Sequence, residues 1–183
     1  MTPPPAPVPI RIRQHALAKL LLYAERCPME IGGLGYVIRD EAGLLIPDLF
    51  ILPQKVSASD TELDSDALCA FLGRMVREDA DVSSLCLWWH SHGDMDVIWS
   101  ETDCSTIGAF PGEFWVAIVV NRRGEIRCRL DVFEPVRQTW EVPLVEVPEE
   151  SPGDPEALRA AIDREIVENV RAYTTVQDVL VLE

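Results

Sequence analysis

Only three histidines occur in this 183-residue chain, and two of them stand two apart in Trp89-His90-Ser91-His92. In an extended backbone, residues two apart point to the same side, so both imidazoles can reach one ion. Imidazole is a natural zinc ligand, but a reactive site also needs a third protein ligand and an open position. Asp103 follows His92 by eleven residues, within Ser100-Glu101-Thr102-Asp103, and the stretch between them can fold back to complete a three-ligand set. A water in the open position of such a site has its pKa lowered toward about 7. Each signal also has a plainer reading. His-x-His can be two ordinary polar residues, and Ser-x-x-Asp is a helix-capping pattern. Glu30 can be a surface carboxylate beside the glycine-rich stretch Gly32-Gly33-Leu34-Gly35. The capping and ligand readings of Asp103 are compatible, because a capped helix start would hold its carboxylate in place. Taken singly, none of these signals decides.

Other site classes are weaker. The five cysteines, Cys27, Cys69, Cys86, Cys104 and Cys128, are widely spaced and contain no Cys-x-x-Cys pair. That pattern suits reduced, mostly buried thiols better than a disulfide framework or a cysteine-rich metal site. A His-Glu-x-x-His zincin motif is absent. The formal net charge of −15 argues against a nucleic-acid backbone as main partner and is foremost a route to solubility. The apolar runs are too short to span a bilayer, and the start of the chain lacks the basic-then-apolar pattern of a signal peptide. The expectation is a soluble, cytoplasmic protein with no membrane association.

The elements that must position these residues follow from periodicity. Gln14 to Arg26 reads as a helix with Leu17, Leu20, Leu21 and Ala24 on one face, closed by Pro28. The glycines that follow predict a turn, then a strand over Tyr36 to Arg39, a turn at Asp40 to Gly43, and a strand over Leu44 to Leu52. Pro47 marks that last strand as an edge or a bulge. Pro53 to Leu63 is polar and predicts a loop, after which Asp64 or Ser65 caps a helix that turns Leu68, Phe71, Leu72 and Met75 inward. Ser84 to Trp89 and Phe114 to Val120 read as strands buried on both faces, the first delivering His90 at its end. Asn121 to Gly124 is a hairpin turn, and Glu125 to Phe133 alternates: Ile126, Cys128, Leu130 and Val132 face one way, Arg127, Arg129 and Asp131 the other. Trp140 to Val147 predicts one more strand. Asp154-Pro155 opens a helix whose apolar stripe is Leu158, Ile162, Ile166, Val170 and Tyr173. The expected fold is α/β, a single mixed central sheet flanked by helices. The expected organisation is a proline-rich tail over residues 1–9, a main domain over 10–135, and a C-terminal extension over 136–183 with a strand and an amphipathic helix.

In combination, Glu30, His90-x-His92, Ser100 and Asp103 resemble the JAMM signature of MPN+ metalloproteases. The spacing from His92 to Ser100 and Asp103 agrees without gaps, and the order of elements agrees from about Ile10 to Pro135. The resemblance implies a cytidine-deaminase-like (MPN) fold, a catalytic domain over residues 10–135, and one zinc ion held by His90, His92 and Asp103. It implies that Glu30 is the general base and acid, and that Ser100 donates a hydrogen bond to the oxyanion. One departure is Gly93, where the family often has proline; a glycine there loosens the loop through Asp94, Met95 and Asp96 but removes no chemical group. Asp94 and Asp96 could favour a basic residue near the scissile bond, though a solvated loop is the plainer account. Trp99 is either core or a substrate contact.

The activity implied is hydrolysis of a peptide or isopeptide bond. The substrate implied by compact prokaryotic relatives is the C-terminal tail of a ubiquitin-like or sulfur-carrier protein, sometimes alongside activating and conjugating enzymes. Two other readings are weighed against it. One is a non-catalytic MPN scaffold that binds protein partners, although such relatives typically lack a ligand and this chain lacks none. The other is nucleobase deamination, which requires a Pro-Cys-x-x-Cys ligand pair that the chain does not have.

Overall fold

The computed structural model describes residues 9–57, 60–151 and 153–173. In chain order the elements are β1 (Ile10–Arg13), α1 (Gln14–Arg26), β2 (Gly32–Gly35), β3 (Ile38–Asp40), β4 (Gly43–Ile46), β5 (Leu49–Ile51), β6 (Gln54–Val56), β7 (Thr61–Leu63) and α2 (Ser65–Arg77). After a 3-10 turn at Val82–Ser84 come β8 (Leu87–Ser91), α3 (Glu101–Ala109), β9 (Phe114–Val120), β10 (Ile126–Val132), β11 (Gln138–Glu141), β12 (Leu144–Val147), α4 (Pro155–Asn169) and β13 (Val170–Ala172). No helix among the described residues is long and apolar enough to cross a membrane. The proline-rich tail, apart from Pro9, and the last ten residues of the C-terminal extension lie outside the described residues.

The most apolar run in the chain, β9, has six of its seven residues buried and forms the middle of a six-stranded sheet, ordered β11-β10-β9-β8-β2-β5. β8 and β9 are parallel, as a connection carrying the helix α3 allows; the other pairs of this sheet are antiparallel. Helix α1 lays Ala16, Leu20, Tyr23 and Ala24 into the core, and the Tyr23 ring stacks on Trp89 of β8 at 5.2 Å. The predicted bounds of α1 hold, but its buried face is turned toward Ala16 and Tyr23, leaving Leu17 and Leu21 half-buried. Helix α2 is capped by Asp64, and buries Phe71 and Met75 as its periodicity predicts.

The class is mixed α/β, but the expectation of one central sheet is corrected. A second sheet has the order β12-β1-β4-β3, and a third β13-β6-β7. Prolines make the divisions. Pro47 splits the expected strand Leu44 to Leu52 into β4 and β5, and Pro143 splits Trp140 to Val147 into β11 and β12; in both cases the halves join different sheets. Proline has no N–H for the ladder, so a continuous strand through it loses a hydrogen bond. Polar Pro53 to Leu63 is not simply a loop, since it contains the β6–β7 hairpin. The stripe expected on the last helix is also shortened: Ile162 is fully buried, whereas Val170 lies beyond the helix in β13 and Tyr173 follows that strand.

The largest correction concerns the glycines. Gly32 to Gly35 is not a turn but β2, a fully buried strand paired with β5 on one side and β8 on the other. A Cβ on Gly33 would stand 2.0 Å from the Phe50 carbonyl oxygen and 2.7 Å from Trp89 Nε1. The absence of side chains lets three strands approach closely, which is a packing role for glycine rather than a turning one. At Gly32 the strand is completed by a side chain: the buried Gln54 amide accepts from Gly32 N–H (2.9 Å) and donates to its carbonyl (2.8 Å). Directly across the ladder from Gly32 is His90.

Elements after residue 135 share these layers. β11 pairs with β10, β12 pairs with β1, and α4 packs against α1 through the Arg26–Asp163 ion pair and a Tyr23–Glu165 hydrogen bond.

Candidate metal centre

His90 lies within β8 rather than after it, between Gly32 of β2 and Val119 of β9. His92 follows the last strand residue, but its N–H donates to Val120 O at 2.8 Å, so the extended backbone continues through it. The period of two therefore brings both rings to one side, as the spacing predicts. Their Nε2 atoms are 3.0 Å apart, and both rings are buried. Trp88 stacks on the His90 ring at 4.5 Å.

Asp103 reaches the same point from α3. Ser100 is the N-cap: its Oγ accepts from Asp103 N–H (3.0 Å), while Asp103 Oδ2 accepts from Ser100 N–H (2.8 Å). This reciprocal box at the positive end of a helix is a stable place for a carboxylate. Asp103 Oδ1 is 3.3 Å from His90 Nε2, and Oδ2 is 4.0 Å from His92 Nε2. Both readings of Ser-x-x-Asp are realised at once, the cap and the convergence on the histidines.

The electrostatics agree with a cation site. Burial raises the Asp103 carboxyl, but His90 and the Ser100 contacts outweigh it and leave the pKa at about 2, so the group is ionised at neutral pH. Burial pushes His90 below the ordinary histidine range, with Asp103 opposing, which favours a neutral ring. His92 Nδ1 is 2.8 Å from the Asp96 carbonyl oxygen, which can only accept, so Nδ1 carries a proton, and Nε2 is the ring atom left to turn toward an ion. His90 Nδ1 has no partner among the described residues.

The ligand atoms of His90, His92 and Asp103 all lie within 4.8 Å of one another, and the group can hold a metal ion. Three N or O atoms bound tetrahedrally at about 2.0–2.1 Å stand roughly 3.3 Å apart. The separations of 3.0, 3.3 and 4.0 Å, the last two to different oxygens of the Asp103 carboxylate, lie around that value, and a small divalent ion can be held by these residues.

Glu30, between α1 and β2, is 7 % exposed and lines the same cleft, of about 990 Å³, as His90, His92, Ser100 and Asp103. It is no ordinary surface carboxylate: burial pushes its pKa up to about 7, with His92 opposing and Asp103 and Asp60 adding to the rise. Met95 and Ile98 form part of the wall, and Leu63 and Phe110 are shared with an adjoining apolar cavity of about 660 Å³. Trp99 is half-buried: its Nε1–H donates to Glu141 (2.7 Å) and Arg129 lies over its ring. Asp94 and Asp96 are exposed and face this chain's own Arg122 and Arg123.

The alternation in β10 concealed a buried ion pair. Arg129 and Asp131 form two 2.7 Å hydrogen bonds with each other, Thr139 donates to Asp131, and Arg129 reaches Cys104 Sγ on α3 at 3.4 Å. Opposite charges two apart on one strand share a face, and that spacing was the available signal. The five cysteines are free; Cys27, Cys86 and Cys128 are buried, whereas Cys69 and Cys104 are exposed.

No protein-family model matches the chain, and no curated protein matches it.

Proposed function

We propose that this protein is a zinc-dependent hydrolase of peptide or isopeptide bonds, a JAMM-type metalloprotease with the MPN fold. The observation that carries the reading is the convergence of His90, His92 and ionised Asp103 in a cleft that also holds Glu30 with its pKa near neutrality. When bound, zinc supplies Lewis-acid polarisation of the scissile carbonyl and acidifies a water.

Glu30 takes the proton from the attacking water as the new C–O bond forms, and passes it to the leaving amine as the C–N bond then breaks. Burial raises Glu30 to about 7 in the metal-free protein, which favours its accepting a proton during the reaction. Ser100 Oγ uses a lone pair on Asp103 N–H, so its hydroxyl proton remains available to donate to the oxyanion. Asp103 is held by the Ser100 N–H, which ties the oxyanion donor and the metal ligand to the same helix start.

A cleft of about 990 Å³ with apolar wall residues, Leu63, Trp88, Ile98 and Phe110, and acidic Asp60 and Glu62 has room for a peptide segment. The substrate we propose is the C-terminal tail of a ubiquitin-like or sulfur-carrier protein, delivered in a system with activating or conjugating enzymes; this part rests on the family resemblance.

Cleavage of a ubiquitin-like fusion by the purified protein, abolished by a chelator and restored by zinc, tests the activity. Glu30→Gln is expected to keep stoichiometric zinc and lose about 10²–10⁴-fold in rate. Normal cleavage by Glu30→Gln would remove Glu30 from its role. A protein that purifies and stays metal-free with added zinc would instead fit the non-catalytic scaffold.

A further inference from the structure

The loop after His92 is fastened to the rest of the molecule from one side. Met95 N–H closes a turn onto His92 O at 2.9 Å, and Gly93 adopts φ +52°, a left-handed conformation natural to glycine. Ile98 N–H also donates to Asp96 O at 3.0 Å, and the bonds to the loop from a remote part of the chain come from the turn between β9 and β10. Asn121, 1 % exposed, donates from Nδ2 to Met95 O at 3.0 Å, while its Oδ1 accepts the N–H groups of Arg123 and Glu125. Arg123 donates from Nη1 to Asp94 O at 2.6 Å and from Nη2 to Asp96 Oδ1 at 2.7 Å. Arg122 N–H donates to Gly93 O at 2.8 Å.

These bonds reach the carbonyls of residues 93, 94 and 95 and the side chain of residue 96, in other words the whole path from His92 to the carbonyl that its own ring uses. The Asp96 carbonyl receives His92 Nδ1–H at 2.8 Å. Its position decides which ring nitrogen is protonated, and hence whether Nε2 offers a lone pair toward His90 and Asp103. The exposed Arg123–Asp96 ion pair is a minor contributor by itself. Asn121 differs: it is a buried side chain with its donor and acceptor atoms engaged, and nothing in the reaction uses it.

We propose that Asn121 and Arg123 are positioning residues for the metal centre, clamping loop residues 93–96 so that the Asp96 carbonyl holds His92 as the Nδ1–H tautomer. They act through the loop and touch neither metal nor substrate. The inference rests on the reading of His92 as a metal ligand, but its first readout needs no metal.

Two measurements on the full chain test it: the His92 ring tautomer in metal-free protein, by ¹⁵N-edited NMR of the imidazole, and zinc affinity by chelator competition. Wild type is expected to show Nδ1–H at His92. Asn121→Ala and Arg123→Met are expected to populate the other tautomer and to weaken zinc binding about 10- to 100-fold. Arg122→Ala keeps its backbone N–H and loses only a 3.4 Å contact to Asp94, so it is expected to match wild type. Arg123 is exposed, so Arg123→Met serves if Asn121→Ala does not fold. Folded variants with the wild-type tautomer and wild-type affinity would overturn the clamp. Should wild type bind no zinc, the metal reading fails, and the tautomer readout still decides the clamp.

Discussion

Glu30 shows how one side chain's surroundings set its chemistry. A glutamate in an unfolded chain titrates at about 4.3, whereas burial raises Glu30 to about 7 in the metal-free fold. Its pKa is therefore higher folded than unfolded. The stabilising contribution of the protonated group is complete below the unfolded value and is lost as pH rises through about 7. Glutamine has nearly the same shape and no charge to desolvate. Metal-free Glu30→Gln is therefore expected to exceed wild type in stability by up to roughly 3 kcal/mol at pH 8, with the difference closing near pH 4. Denaturant melts of the metal-free proteins at the two pH values check this; a pH-independent difference would mean that Glu30 is not held as described. In the proposed mechanism, that loss of stability is the cost of keeping Glu30 poised as the general base.

Among the elements, β2 is where the site meets the scaffold. It carries Gly32 opposite His90, and its two faces are closed by neighbouring backbone and by Trp89. Gly33→Ala places a Cβ on the Phe50 carbonyl and is expected to cost at least the 1–3 kcal/mol typical of overpacking, because the atom it meets is backbone and cannot swing away. Gly153→Ala meets nothing within 4 Å and is expected to stay within about 0.5 kcal/mol of wild type. Equal melts for the two variants would argue against the three-strand approach. Helix α3 is the complementary element. Its start carries Asp103 and Ser100, the ligand and oxyanion donor of the proposed mechanism, and Arg129, paired with Asp131, abuts it at Cys104.

At the scale of the whole molecule, residues after 135 are built into the layers that hold the site. Ile162 of α4 is fully buried, and α4 packs on α1, whose Tyr23 stacks on Trp89, the residue before His90. Ile162→Ala is expected to cost about 2–5 kcal/mol, a fall in Tm of roughly 5–15 °C. A loss below about 1 kcal/mol would mean that α4 contributes little to the core.

What the sequence by itself determined is what local rules govern. The His-x-His spacing sets two rings on one side of extended backbone, Ser100 and Asp103 make a capping box, and the bounds of α1 and β9 and the capped starts of α2 and α4 follow from periodicity and caps. Those features depend on neighbours a few residues away. Tertiary structure alone decided that the glycines form a strand and that the halves of the strands interrupted by Pro47 and Pro143 join different sheets. It also decided that Glu30 is buried beside the ligands, and that Asn121 reaches a carbonyl 26 residues back. Each of these depends on segments remote in sequence approaching within a few ångströms, and the side chains alone carry no periodic trace of that. The opening cluster illustrates both halves: its donor set is written in the chain, but its convergence exists only because β8 and α3 end at the same place.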